Sequence, residues 1–230
     1  MGVKSVLVRA VGATALLLCM GLGQSFAQSE QIIWNFDQYD IGAMPHTWHD
    51  GETQKPGRPA IWQIVSAPHA PSVGQVLAMA TPSSGGLFGL FGRAFNLIWT
   101  DEIAFGDGEI EVAFRSVSGQ VDQGGGIMWR VQDKNNYYVA RFNPLEDNFR
   151  IYFVHNGSRQ ELVGTHVTLS EDDWHSMKIV QRGNEFEGFL DGEKLLNGSS
   201  NLFREAGGIG VWTKADAVTW FDDLSVRVAE

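Results

Sequence analysis

The sequence is poor in cysteine, in basic charge and in long apolar runs. Its only cysteine among 230 residues is Cys19, so no disulfide can close within the chain and no Cys-x-x-Cys metal or redox motif exists. Seventeen Lys and Arg stand against 27 Asp and Glu, a net charge of −10. Such a chain repels phosphate backbones, and no basic cluster or basic amphipathic helix offsets this, which argues against nucleic acid and anionic membranes as partners. No segment approaches the roughly 20 consecutive apolar residues that a membrane-spanning helix needs.

The longest apolar run, Ala10 to Leu22, lies near the start. Lys4 and Arg9 precede it and the small-residue site Ser25-Phe26-Ala27 follows, the layout of a secretory signal peptide cleaved after Ala27. Cys19 leaves with that peptide. Residues 28–230 remain, with 15 Lys and Arg against 27 Asp and Glu, a net charge of −12. Their length fits a single β domain with a sizeable core. The expectation is an exported, periplasmic or extracellular protein, monomeric and with one domain.

What the sequence has in quantity is short strands. Apolar residues recur with period two between Gly, Asn and Asp, the pattern of an antiparallel sandwich. Helix is confined to single turns at "SEDDW" and "LFREAG". Asp191-Gly192 suits the positive φ angles of a type I′ hairpin. Tyr39 to Ala60, with Trp48 and His49, reads as one long irregular loop, and Gly85 to Gly92 as an apolar loop lacking the Lys-Ser/Thr of a phosphate loop.

The best-formed strands, within Asp122 to Gly157, carry Arg130, Arg141 and Arg150 among apolar and aromatic residues. With Asp133 to Asn136 as a turn, Arg130 faces Val139 and Met128 faces Arg141; with Leu145 to Asn148 as the next, Arg141 faces Tyr152. One face then holds Met128, Arg130, Gln132, Tyr137, Val139 and Arg141. The core face holds Ile127, Trp129, Val131, Tyr138, Ala140 and Phe142, joined by Ile151 and Phe153. All three arginines are expected on one surface, with Tyr137 and the loop residue Trp48 as sugar-facing rings. Planar hydrogen-bonding groups fork onto hydroxyls, and aromatic rings cover apolar sugar faces. A solvated face with cross-strand ion pairs is the other meaning of the same pattern. On the strand Glu109-Ile110-Glu111 the two carboxylates stand about 7 Å apart, a separation that overlaps inverting glycosidases but that any Glu-x-Glu strand shares.

The run Asp122 to Gly157, "DGEKLL" from Asp191 and the closing "AGGIGVWTKADAVTWFDDLSV" resemble exported bacterial domains of the 3-keto-disaccharide hydrolase type. These are also called family-sixteen-like glycoside hydrolases, within the concanavalin A-like superfamily. "GAMPHTW", "IWQIV" and "APSVGQVLA" fit the same pattern, so the resemblance covers nearly all of residues 28–230. It implies an all-β, two-sheet antiparallel jelly-roll β-sandwich, also seen in laminin G-like modules. Lectins, lyases, hydrolases and adhesion modules share that scaffold. The resemblance therefore implies a protein that binds an oligosaccharide or polysaccharide and could cleave it, with a protein-binding adhesion module as the alternative.

The Glu-x-Asp-x-Glu motif of true family-sixteen glucanases is incomplete here, because its third acid falls on Ala113, or on Phe114 in a bulged version. A 3-keto glycoside asks for less, since its ketone acidifies the neighbouring C–H. The resemblance then suggests Glu111, near Glu109, as base, Arg130 and Arg141 as oxyanion stabilisers, and Tyr152 or His155 as acid. No cofactor is required. A structural Ca²⁺ on Asp37, Asp222 and Asp223 is suggested by the superfamily, and strand-end capping is the alternative role for these aspartates.

Overall fold

A computed structural model describes residues 30–54, 58–72, 74–82, 94–170 and 172–229. The signal-peptide segment and the loop Gly85 to Gly92 lie outside the described residues. Fifteen strands follow in order: β1 (Gln31–Trp34), β2 (His49–Thr53), β3 (Ile61–Ala67), β4 (Gly74–Thr81), β5 (Phe95–Phe105), β6 (Gly108–Ser118), β7 (Gly125–Asp133) and β8 (Asn136–Asn143). After these come β9 (Asn148–His155), β10 (Ser158–His166), β11 (His175–Arg182), β12 (Glu185–Leu190), β13 (Glu193–Ser199), β14 (Gly207–Lys214) and β15 (Val218–Val228). The described residues form no helix, so the turns expected at "SEDDW" and "LFREAG" are not helical where they are described.

The strands make two antiparallel sheets. The first runs β13-β12-β11-β6-β15-β4-β3, with β1 paired to β15; the second runs β10-β9-β8-β7-β14-β5-β2. Period-two alternation explains the layering, because each strand sends every second side chain to the same face. Ile110, Val112 and Phe114 of β6 meet Ile127 and Trp129 of β7, Tyr138, Ala140 and Phe142 of β8, and Ile151 of β9 in one buried core. Phe153 packs against it. Gln181 crosses between the sheets, its Oε1 accepting from Trp129 Nε1 at 2.9 Å. At Asp191 (φ 48°) and Gly192 (φ 79°) the backbone makes the left-handed pair expected of the hairpin.

Three expectations are corrected. First, the long loop contains a strand: β2 pairs with the edge of the second sheet from His49↔Trp99 to Thr53↔Phe95. Second, Trp48 is not available to a ligand. It is buried against Trp34 and Phe36, with ring centroids 5.9 and 5.8 Å away. Third, β7 carries a bulge between Trp129 and Asp133, so Met128 faces Val139 and Gly126 faces Arg141. The bulge contains Arg130 at φ 47° and inverts the parity behind it. Val131 therefore leaves the intersheet core and joins a second apolar cluster with Met128, Tyr137, Val139, Tyr152, Val154 and Trp212.

Candidate functional site

That second cluster identifies the other face of the second sheet, and the site grows from it. In β8 and β9 the residues between the core positions, Arg141 and Asn143, then Asn148, Arg150 and Tyr152, share this face. The β8–β9 turn has the expected four residues but lies one residue earlier, closing at Asn143↔Asn148 with Arg141 opposite Arg150, a pairing shift of two. Because the shift is an even number of residues, the parity survives. Arg159 on β10, opposite Val154, and Lys214 on β14, two residues after Trp212, complete the face.

The turn folds back on its own strand. Asn143 Oδ1 accepts from the backbone of Leu145 at 2.9 Å and Glu146 at 3.3 Å, an Asx turn that presents the Glu146 carboxylate. Arg141 then donates to Glu146 Oε2 at 2.9 Å and Asn148 Oδ1 at 3.2 Å, while Asn148 Nδ2 donates to Glu146 Oε2 at 3.0 Å. Behind them, Asp122 accepts from Asn143 Nδ2 at 2.9 Å and pairs with Lys214. Its placement is fixed by Asp216, whose carboxylate accepts from the backbone N–H groups of Gln120, Val121 and Asp122.

Two carboxyls in this network are driven apart. Burial pushes Asp122 above the ordinary carboxylate range, more strongly than Arg141 and Lys214 pull it down. Burial also pushes Glu146 up, but the hydrogen bonds from Asn148 and Arg141 and the charges of Arg141 and Lys214 outweigh it and hold this group at about 2. Tyr152 lies between two cations: the guanidinium carbons of Arg159 and Arg141 are 4.3 and 5.9 Å from its ring centroid. Arg141 Nε and Arg159 Nη1 are buried donors without a hydrogen-bond partner.

Of the residues singled out in the sequence, Arg141, Arg150 and Tyr152 come together here, Arg150 at the rim in an ion pair with Glu161 at 3.1 Å. Tyr137 shares the face but is fully buried, its hydroxyl held by Thr53 at 3.0 Å and Trp212 Nε1 at 3.2 Å. Arg130 does not join them. From its bulge it donates to the carbonyls of Gly106, Phe203 and Gly183 and to Asp107 Oδ1, tying three connections at one end of the sandwich. A cleft of about 760 Å³ opens there beside Asp107, Asn184 and Arg204.

Glu109 and Glu111 are also elsewhere. Both lie on the outward face of the first sheet, Glu109 near Arg227 at 3.6 Å and Glu111 opposite Lys178. The whole core separates them from Arg141, so the expected grouping of Glu111 with Arg130 and Arg141 does not exist. His155 is exposed at the end of β9, beside the Phe203 ring, which belongs to the opposite, core-facing side.

Of the aspartates expected for calcium, Asp222 has other work. Asp222 is buried, and its carboxylate accepts from Ser72 N and Oγ and from Asp223 N. Asp223 is raised by burial and then by the charge of Asp37. No group of three acidic or histidine side chains is arranged to hold a metal among the described residues. As placed, the trio does not form the cage of six to eight oxygens that calcium takes, and Asp222 holds the β3–β4 connection at Ser72.

Sequence reasoning missed Asp122, Asn143, Glu146, Asn148, Arg159 and Lys214. Parity counted onward from Trp212 would have reached Lys214, whereas Asn143, Glu146 and Asn148 look like ordinary turn residues.

Comparisons with known proteins agree on the architecture. The carbohydrate-binding module CBM66 from Bacillus subtilis superposes with TM-score 0.59 at 17% identity, over 79% of this chain and 96% of that one. The Bacillus licheniformis β-glucanase gives 0.56 at 9% identity, over 86% and 98%. The Emp47p carbohydrate recognition domain gives 0.55 at 13%, over 90% and 100%. At such identities the likeness establishes the fold, a concanavalin A-like jelly-roll sandwich. No curated protein matches the chain significantly. A family model does match, over residues 62–227, which include every member of the network just described, and the chain belongs to the 3-keto-alpha-glucoside-1,2-lyase-like domain family.

Proposed function

We propose that the outward face of the second sheet around Arg141, Tyr152 and Arg159 is the carbohydrate-binding site of an exported protein. The observation that carries this reading is the buried charge gathered there. Asp122, Arg141, Asn143 and Asn148 are each at most 6% exposed, on a sheet face turned away from the intersheet core. Buried ions are unfavourable unless paired, and apolar residues of similar volume would hold a sheet at least as well. Such a network is best explained by use. The family supplies the ligand class, a sugar, and the face supplies planar donors beside aromatic rings.

Calorimetry with glucosyl disaccharides and their 3-keto derivatives tests this. Wild type should bind at least one series. Arg141→Lys should bind about tenfold more weakly, because an ammonium keeps the charge and loses the fork; Arg130→Lys, whose side chain is held outside the face, should bind as wild type. Absence of binding to both series, or an unaffected Arg141→Lys, would reject the site.

A second reading is favoured by Asp122, a carboxyl raised by burial next to cations, which suits a proton-abstracting base. On a 3-keto glycoside, Asp122 takes the proton from the carbon between ketone and anomeric centre, leaving an enolate that the cations stabilise. Its electron pair then forms the carbon–carbon double bond as the bond to the leaving sugar breaks, and the departing oxygen takes up the proton that Asp122 removed. Asp122→Asn should still bind substrate but release no unsaturated keto sugar; undiminished product would reject Asp122 as base.

A further inference from the structure

Among the described residues, one cation on this face forms no ion pair. Lys214 pairs with Asp122, Arg141 with Glu146 and Arg150 with Glu161. Arg159 has neither an ion pair nor a side-chain hydrogen bond among the described residues, and its Nη1 is buried. Its guanidinium carbon lies 4.3, 5.0 and 5.7 Å from the ring centroids of Tyr152, Phe95 and Trp212. On the far side of Tyr152, the second unpartnered donor, Arg141 Nε, belongs to a residue only 1% exposed.

Resting on the sugar-site reading above, we propose that the ligand is an acidic sugar whose carboxylate is held by Arg159. Aromatic rings stabilise a guanidinium through their faces, but they place no lone pairs in its plane. Its N–H groups other than the buried Nη1 are left as a fork for a planar acceptor with two oxygens. A carboxylate matches that fork atom for atom and supplies the missing negative charge. A hydroxyl would satisfy one donor and leave the cation uncompensated where screening by water is weak.

The test is calorimetry on the full chain with a glucosyl disaccharide and its counterpart carrying glucuronic acid in place of glucose, at low and high salt. Wild type should bind the uronate at least about tenfold more tightly, with an advantage that shrinks as salt rises. Arg159→Gln should abolish the preference. Should that variant fail to fold by circular dichroism, Arg159→Lys replaces it and should retain only part of the preference. Equal binding of both sugars to wild type, or a preference that survives intact in the variant, overturns the acidic-sugar proposal while leaving the carbohydrate site standing. Binding of neither sugar overturns the acidic-sugar proposal, and failure of the 3-keto series as well overturns the carbohydrate site with it.

Discussion

Arg130 and Arg141 are eleven residues apart, both buried, and do different things. Arg130 at 3% exposure spends its guanidinium on three backbone carbonyls and Asp107. Arg130→Ala would leave those carbonyls unpaired, and urea denaturation should register a loss of about 3 kcal/mol. Arg141 is organised by Glu146, and that pair predicts a pH dependence of known sign. The Glu146 carboxyl sits at about 2 against an ordinary 4.5. Its stabilisation is therefore complete above pH 4.5 and fades as pH falls through the interval down to about 2. Asp122, raised by burial, acts in the opposite sense, its contribution weakening as pH rises through its own titration. Urea midpoints of wild type and Glu146→Gln should converge as the solution is acidified from about pH 6 to about pH 2. A gap that stays constant over that interval would show that the Arg141–Glu146 pair adds nothing.

Strand alternation survives errors that turn geometry does not. The core positions Trp129, Tyr138, Ala140, Phe142 and Ile151 are legible from period two alone, and Arg141 with Tyr152 keeps its face although the turn between β8 and β9 is misplaced by one residue at each side. The bulge in β7 was illegible. Nothing local to Arg130 marks it as left-handed; the acceptors that hold it come from Gly106, Gly183 and Phe203, distant in sequence and near only in the folded chain. Because the bulge inverts the alternation beyond Trp129, period two places Val131 and Arg130 on the wrong sides. The assignment to Glu111 failed for a related reason, since alternation gives a residue's face but not which of two sheets the strand enters. Two substitutions test the elements. Trp129→Ala should destabilise by about 3–5 kcal/mol as a core aromatic truncation that also strands Gln181. Gly124→Ala should be worse than its size suggests. At φ 82° an added Cβ would stand 2.3 Å from the Phe142 carbonyl oxygen, so thermal denaturation should show a loss above about 1 kcal/mol.

At the scale of the molecule, one sheet face is spent on the core, and the opposite face of the second sheet carries a polar network that stability alone does not require. No helix among the described residues is long and apolar enough to cross a membrane. The N-terminal layout of Lys4, Arg9 and Ser25-Phe26-Ala27 predicts a mature chain beginning at Gln28, which intact-mass measurement of the protein recovered outside the cytoplasm would check; a mass retaining Met1 would contradict it. The placement of the sugar site is tested most directly by arginine Nε–Hε resonances, recorded while the protein is titrated with the glucosyl, 3-keto and glucuronic disaccharides. Arg141 and Arg159 should shift together and saturably with at least one of these sugars, and Arg130, held by carbonyls outside this face, should stay in place. Movement of Arg130 with Arg141 and Arg159 unchanged, or no shift of any arginine, would contradict it.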